Sequence, residues 1–172
     1  MLKCALASYY AAKNINTHVE DYELRHNRPS FTLNTLQYLR QQHGPGTPLF
    51  WLVGMDSLAT MDRWHGWQQL LAYAHIAVVN RPGYTLPSAG VLGEWWEQSS
   101  ASIIEAAGLP GGKCILLDSA EKDLSSTDIR LLLRQKQKDG KTKKQIAQLV
   151  PAAVADYINQ HKLYLTSDTE EL

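Results

Sequence analysis

Three short apolar runs do most to limit what this chain can fold into. Residues 48–53 (PLFWLV), 75–80 (HIAVVN) and 113–118 (KCILLD) lack polar alternation and are too short for ordinary helices. That is the pattern of strands buried on both faces of a sheet. Gly54 closes the first run, and Arg81-Pro82-Gly83 halts the second with a turn signature. Segments of helical period lie around them. Residues 1–14 read as a helix, and 15–24 as a short strand or extended segment. Phe31, Leu33, Leu36, Tyr38 and Leu39 predict a helix over 32–42, ended by Gly44-Pro45-Gly46. Trp64, Trp67, Leu70 and Leu71 form the apolar stripe of a helix over 56–72. Further helices are predicted over 95–107, 125–138 and 143–161, the last re-entered at Pro151. Strands separated by helices require crossover connections, so the expected class is α/β, a doubly wound parallel sheet with helices on both faces.

Composition excludes several functions. The 172 residues carry 17 Lys+Arg against 17 Asp+Glu, a formal charge of zero. A broad basic surface for nucleic-acid phosphates is therefore not expected. The basic run over 134–144 reads as a solvated face near a helix end. No apolar stretch reaches the ~18 residues of a membrane span, and no signal-peptide pattern opens the chain. No membrane or nucleic-acid partner is expected, and the expected compartment is the cytoplasm. Cys4 and Cys114 sit in apolar contexts and read as buried thiols rather than a disulfide. No C-x-x-C exists, and His65 has no partner at metal-ligand spacing, so no protein metal site is expected.

In open α/β sheets ligands bind beyond the carboxyl ends of the strands. Three segments fall there. Gly54-Met55-Asp56-Ser57 combines a glycine, which lets a ligand approach the backbone, with a carboxylate able to accept from ribose hydroxyls. The competing explanation is a strand-to-helix turn with Asp56 as N-cap. Residues 81–84 (RPGY) form the second segment. The third, 124–130 (LSSTDIR), opens a helix with three hydroxyls, free N–H groups and Arg130, an arrangement suited to phosphates. A capping box accounts for Ser125 and Asp128, but not for a cation placed against the helix dipole. Trp64 and Trp67 share a helix face, which core packing explains for at least one of them. An aromatic ring beside a nucleotide pocket also stacks on planar heterocycles.

Several stretches together resemble the nicotinate-nucleotide adenylyltransferase family. They are 25–32 (RHNRPSFT, beside the family's E-x-x-R-x-x-P-S-Y-T), 52–58 (LVGMDSL), 63–67 (RWHGW), 75–84 (HIAVVNRPGY), 124–130 (LSSTDIR) and the ending 149–164 (LVPAAVADYINQHKLY). They run in the family's order over most of the chain. The resemblance implies one Rossmann-like nucleotidyltransferase domain over 1–172. It also implies transfer of ATP's adenylyl group to nicotinate mononucleotide, with Mg²⁺ on the ATP phosphates. By the same resemblance Gly54 and Asp56 face the adenosine ribose, and Thr32, Trp64 and His65 line the nicotinate pocket. Arg81 lies near the nucleotide phosphates or the adenine edge. Ser125, Ser126, Thr127 and Arg130 hold the ATP phosphates.

The chain departs from the family pattern in three places. Phe31 stands where the family has tyrosine, and residues 84–112 form an unfamiliar insert. The family's Gly-rich loop with His-x-Gly-His occurs nowhere in the sequence. Helical pattern begins at residue 1 without a cap in front of it, so the chain reads as lacking the first βα unit. Without that unit, the resemblance implies an inactive chain with no catalytic histidine and two exposed sheet edges. Two other functions fit the same motifs. One is a non-catalytic nucleotide-binding module. The other is a relative such as the pantetheine-phosphate adenylyltransferase, which the Pro29–Thr32 and Trp64 matches disfavour.

Overall fold

The computed structural model describes residues 1–9, 16–25, 29–80, 83–118, 126–135 and 149–164. The chain divides into two compact units, Asp21–Asp123 and a second made of Met1–Glu20 with Leu124–Leu172.

The larger unit is built on a three-stranded parallel sheet in the order β1 (Phe50–Gly54), β2 (His75–Val79), β3 (Cys114–Leu117). Its register pairs Phe50 with His75 and Val53 with Val78, then Ile76 with Cys114 and Val78 with Leu116. β2 has a neighbour on each side and is buried along nearly its whole length. β1 is not. Phe50 and Leu52 are 39% and 63% exposed, against the expectation of burial on both faces. The physical reason is position: β1 is a sheet edge among the described residues, and only its other face, with Val53, packs into the core. β3 divides along its length instead: Cys114 and Ile115 are buried on opposite faces, and Leu116 toward its end is exposed.

α2 (Thr32–His43) begins where the sequence predicts. Phe31, extended at φ −116° and ψ 131°, occupies the N-cap position, and its carbonyl accepts from the N–H groups of Asn34 and Thr35. Gly44, at φ 85°, ends the helix in a conformation closed to most side chains. Leu33 and Leu36 enter one core with Val53, Met55, Leu58, Met61, Leu70, Ile76, Val78 and Cys114. The segment before α2 is a 3-10 turn, Tyr22–Arg25, rather than a strand. It is fastened to the helix by the Thr35 hydroxyl donating to Glu23 (2.5 Å) and by Tyr22 stacked on Tyr38.

Two predicted helices are broken. Residues 56–72 form α3 (Met55–Leu58), a 3-10 turn Met61–Arg63 and another Trp67–Ala72. Gly66 interrupts them at φ 62°, where a Cβ would collide with Leu33 Cδ2. The apolar stripe still packs inward, with Leu70 buried and Trp64, Trp67 and Leu71 against the core. The second break lies between α4 (Gly90–Ser99) and α5 (Ile103–Ala107). There Ala101 donates to the Cys114 carbonyl, and Ser102 starts α5 with a reciprocal capping box to Glu105. Trp95 of α4 meets Trp67 edge-on at 5.5 Å, joining this stretch to the core.

The smaller unit contains α1 (Leu2–Tyr9), α6 (Ser126–Gln135) and α7 (Ala152–Gln160). α1 packs on α7, while Leu133, Ala155 and Ile158 form a core with Ile129, Val154, Leu163 and Tyr164. Residues 136–148, within the two C-terminal helices predicted from sequence, lie outside the described residues. Cys114 is fully buried, and burial pushes its thiol up to about 12, an unreactive group. Cys4 is only half-buried, against the expectation of a buried thiol, and neither cysteine is in a disulfide. No described helix is long and apolar enough to cross a membrane.

Candidate functional site

The carboxyl end of β1 carries one of the segments that the sequence singles out. β1 runs directly into α3, with Gly54 at the N-cap position and no side-chain capping bond. Asp56 is therefore not the N-cap; it sits inside the first turn, where a carboxylate suits the helix dipole. Its side chain folds back over Gly54. A Cβ built on Gly54 would take the place of Asp56 Oδ1 and force the carboxylate aside. Since Gly54 has φ −80°, which any residue adopts, the need for glycine here is steric: it leaves space for the Asp56 carboxylate. The strand end and the carboxylate thus form one compact feature, with Met55 beneath it fully in the core.

A second group gathers at the start of α2. Thr32 is the first helical residue, and the preceding Phe31 ring stacks on His65 with centroids 4.5 Å apart and planes at 29°. Trp64, next to His65, is half-buried against the core, and its N–H donates to the Met61 carbonyl. Core packing accounts for Trp64, and Trp67, met edge-on by Trp95, packs against the same core. The sequence reading names Thr32, Trp64 and His65 but not the contact through Phe31 that ties this corner together. An aromatic residue immediately before a predicted helix was the available signal.

In the smaller unit, Thr127 and Arg130 are exposed on α6. The helix is described from Ser126, which puts Arg130 a full turn in rather than in the first turn. Its guanidinium lies 5.8 Å from the centre of the Tyr164 ring, a cation–π distance, so an aromatic plane beneath it limits its swing. Tyr164 has φ 63°, a left-handed conformation that side chains seldom adopt and that costs of order 1–3 kcal/mol. Arg81 and Ser125 lie outside the described residues, as does the side chain of Ser126. Among the described residues no group of three or more His, Cys, Asp or Glu is placed to hold a metal ion.

The cytidylyltransferase-like family model matches residues 9–132. A nicotinate-nucleotide adenylyltransferase of Aeromonas salmonicida is 37% identical over 166 residues, covering 94% of this chain and 72% of its own length. The chain belongs to the nicotinate-nucleotide adenylyltransferase family. The relative from Klebsiella pneumoniae is 36% identical, over 95% of this chain and 71% of its own. The family's fold is found again in a solved structure, the Plasmodium falciparum nicotinic acid mononucleotide adenylyltransferase complexed with APC. It superposes with a TM-score of 0.53 at 17% identity, over 81% of this chain and 60% of that one. For the α/β Rossmann-like nucleotidyltransferase fold, sequence pattern, parallel sheet and superposition agree.

Proposed function

We propose that the chain serves transfer of the adenylyl group of ATP to nicotinate mononucleotide, giving deamido-NAD and pyrophosphate in the cytoplasm, as part of a single nucleotidyltransferase domain. The observation that carries this reading is the Gly54–Asp56 feature at the carboxyl end of β1, in a chain 37% identical to a named nicotinate-nucleotide adenylyltransferase. In the reaction a phosphate oxygen of the mononucleotide attacks the α-phosphorus of ATP in line. A new phosphoanhydride bond forms as the α–β bond breaks, and the electron pair leaves with pyrophosphate. Such transfer depends on positioning and charge stabilisation rather than on a covalent nucleophile.

Within this proposal the chain's residues bind and orient. Asp56 accepts from the adenosine ribose hydroxyls while Gly54 keeps the strand end low enough for the nucleoside to approach. Ser125, Ser126, Thr127 and Arg130 hold the ATP phosphates, with Arg81 at the phosphates or the adenine edge. Thr32, Trp64 and His65 receive the pyridine end of the mononucleotide, where a flat ring meets aromatic side chains. The described residues do not themselves form a metal cluster. Mg²⁺ in this scheme is held by the ATP phosphates, where it supplies charge neutralisation, as is usual for an ion that keeps most of its water. None of these residues is assigned to the transferring phosphoryl group, since the sequence contains no His-x-Gly-His.

Calorimetric titration of the chain with ATP and with nicotinate mononucleotide tests the proposal. Both are expected to bind, Asp56→Ala and Arg130→Ala each weakening ATP about tenfold or more and Trp64→Ala weakening the mononucleotide. ATP affinity that ignores both Asp56 and Arg130 would overturn the assignment.

A further inference from the structure

The Phe31–His65 stack is an exposed contact that the core does not require. Phe31 is 38% exposed and His65 is exposed as well, yet the two rings lie face to face at 4.5 Å. Beneath them a second contact joins the same two segments. Gly66, the residue after His65, takes φ 62° and comes so near Leu33 that a Cβ would collide with its Cδ2. Leu33 is itself 5% exposed and fixed in the core. The start of α2 and the turn at 64–66 are therefore locked twice, by a methyl against a glycine inside and by stacked rings outside. The inner contact sets how close the two segments come. The outer one sets the angle of the His65 ring, next to a Trp64 that is itself anchored on the core.

We propose that Phe31 is a positioning residue for the pyridine end of the mononucleotide site: its ring holds His65 against the start of α2 and so registers it with Thr32 and Trp64. The inference rests on the functional reading given above and adds to it a residue that touches the pocket wall rather than the reacting atoms. A tyrosine at position 31 retains the same ring face, so the tyrosine variant preserves the stack. An aliphatic side chain retains bulk but loses the flat face, and the imidazole is freed to turn.

The test uses the full chain with Phe31→Leu and Phe31→Tyr. By proton NMR the His65 ring resonances are expected upfield of an exposed histidine in the parent and in Phe31→Tyr, returning to ordinary positions in Phe31→Leu. In calorimetry, Phe31→Leu is expected to weaken nicotinate mononucleotide roughly tenfold, the scale of one lost aromatic pair, and to leave ATP within about twofold. Phe31→Tyr restores mononucleotide affinity. Unchanged mononucleotide affinity in Phe31→Leu overturns the proposal, and so does an equal loss for both ligands, which would mark a general loss of structure. A parent chain that binds ATP but not the mononucleotide refutes the functional reading itself, and the positioning role falls with it. These outcomes are distinct because the NMR shift reports the stack without any ligand.

Discussion

The two ends of the three-stranded sheet are finished with different groups. At the amino ends of the strands, the protein pairs its polar groups with itself. The Arg40 guanidinium donates to the carbonyls of Tyr73, Gly44, Thr47 and Pro110 through all five of its N–H bonds, at 2.5–3.1 Å. His75, fully buried at the start of β2, accepts the Lys113 N–H at Nδ1. Its other nitrogen therefore carries the proton and donates to the Leu109 carbonyl, 2.9 Å away. Gly111 packs so tightly on Ala74 that a Cβ would touch the backbone at 3.0 Å. At the carboxyl end of β1 an acidic side chain folds over a bare glycine. One end closes the unit; the other carries the proposed nucleotide contact.

That contrast makes ordered predictions. Arg40→Met strips this donor from the Tyr73, Gly44 and Thr47 carbonyls, leaves Pro110 only the Leu49 N–H, and is expected to cost about 3 kcal/mol, taking the hydrogen bonds to a charged group as the measure. Thermal unfolding should shift down by about 6–12 °C on that basis. His75→Leu keeps the volume but strands the Lys113 N–H and the Leu109 carbonyl, with an expected loss of about 2 kcal/mol in chemical denaturation. Neither substitution should alter ATP affinity below the unfolding transition. If either does, the two ends are coupled and the contrast fails.

Gly54→Ala is expected to do the reverse. It displaces the Asp56 carboxylate, weakening ATP about tenfold on the scale of a lost charge-assisted hydrogen bond. The melting temperature should move little, since the φ at this position suits alanine. The smallest expected effect lies away from both ends. Ser102→Ala removes the cap of α5 and should cost about 1 kcal/mol. Hydrogen bonds from the Ser102 backbone and hydroxyl hold the Glu105 carboxyl below its ordinary range. Its contribution is thus present above the unfolded-state value and lost as pH falls through the lowered folded one. Glu105→Gln should accordingly flatten part of the acid limb of a stability–pH profile.

What could be read in advance follows the same division. β2 was legible because it is buried on both faces, and an unbroken apolar run is a local signal. β1 carries a similar run, yet its exposed Leu52 depends on how many strands lie beside it, which no residue within 48–53 encodes. The helix expected over 56–72 failed for a comparable reason. Its break at Gly66 is fitted to Leu33, thirty-three positions away, and hydrophobic period alone does not register it. Gly54 and Asp56 were legible as a pair because both lie in one turn after a strand. Arg40 was not, since the carbonyls it gathers come from three separate loops and its own helix end.

The placement of β2 has a further consequence. Its backbone is laddered to β1 on one side and β3 on the other, and Ile76, Ala77 and Val78 are all buried. Deuterium reaches such amides only when the larger unit opens as a whole, not through fraying. The exchange rate at these three positions is therefore a built-in gauge of that unit's global opening, readable residue by residue in the unmodified protein.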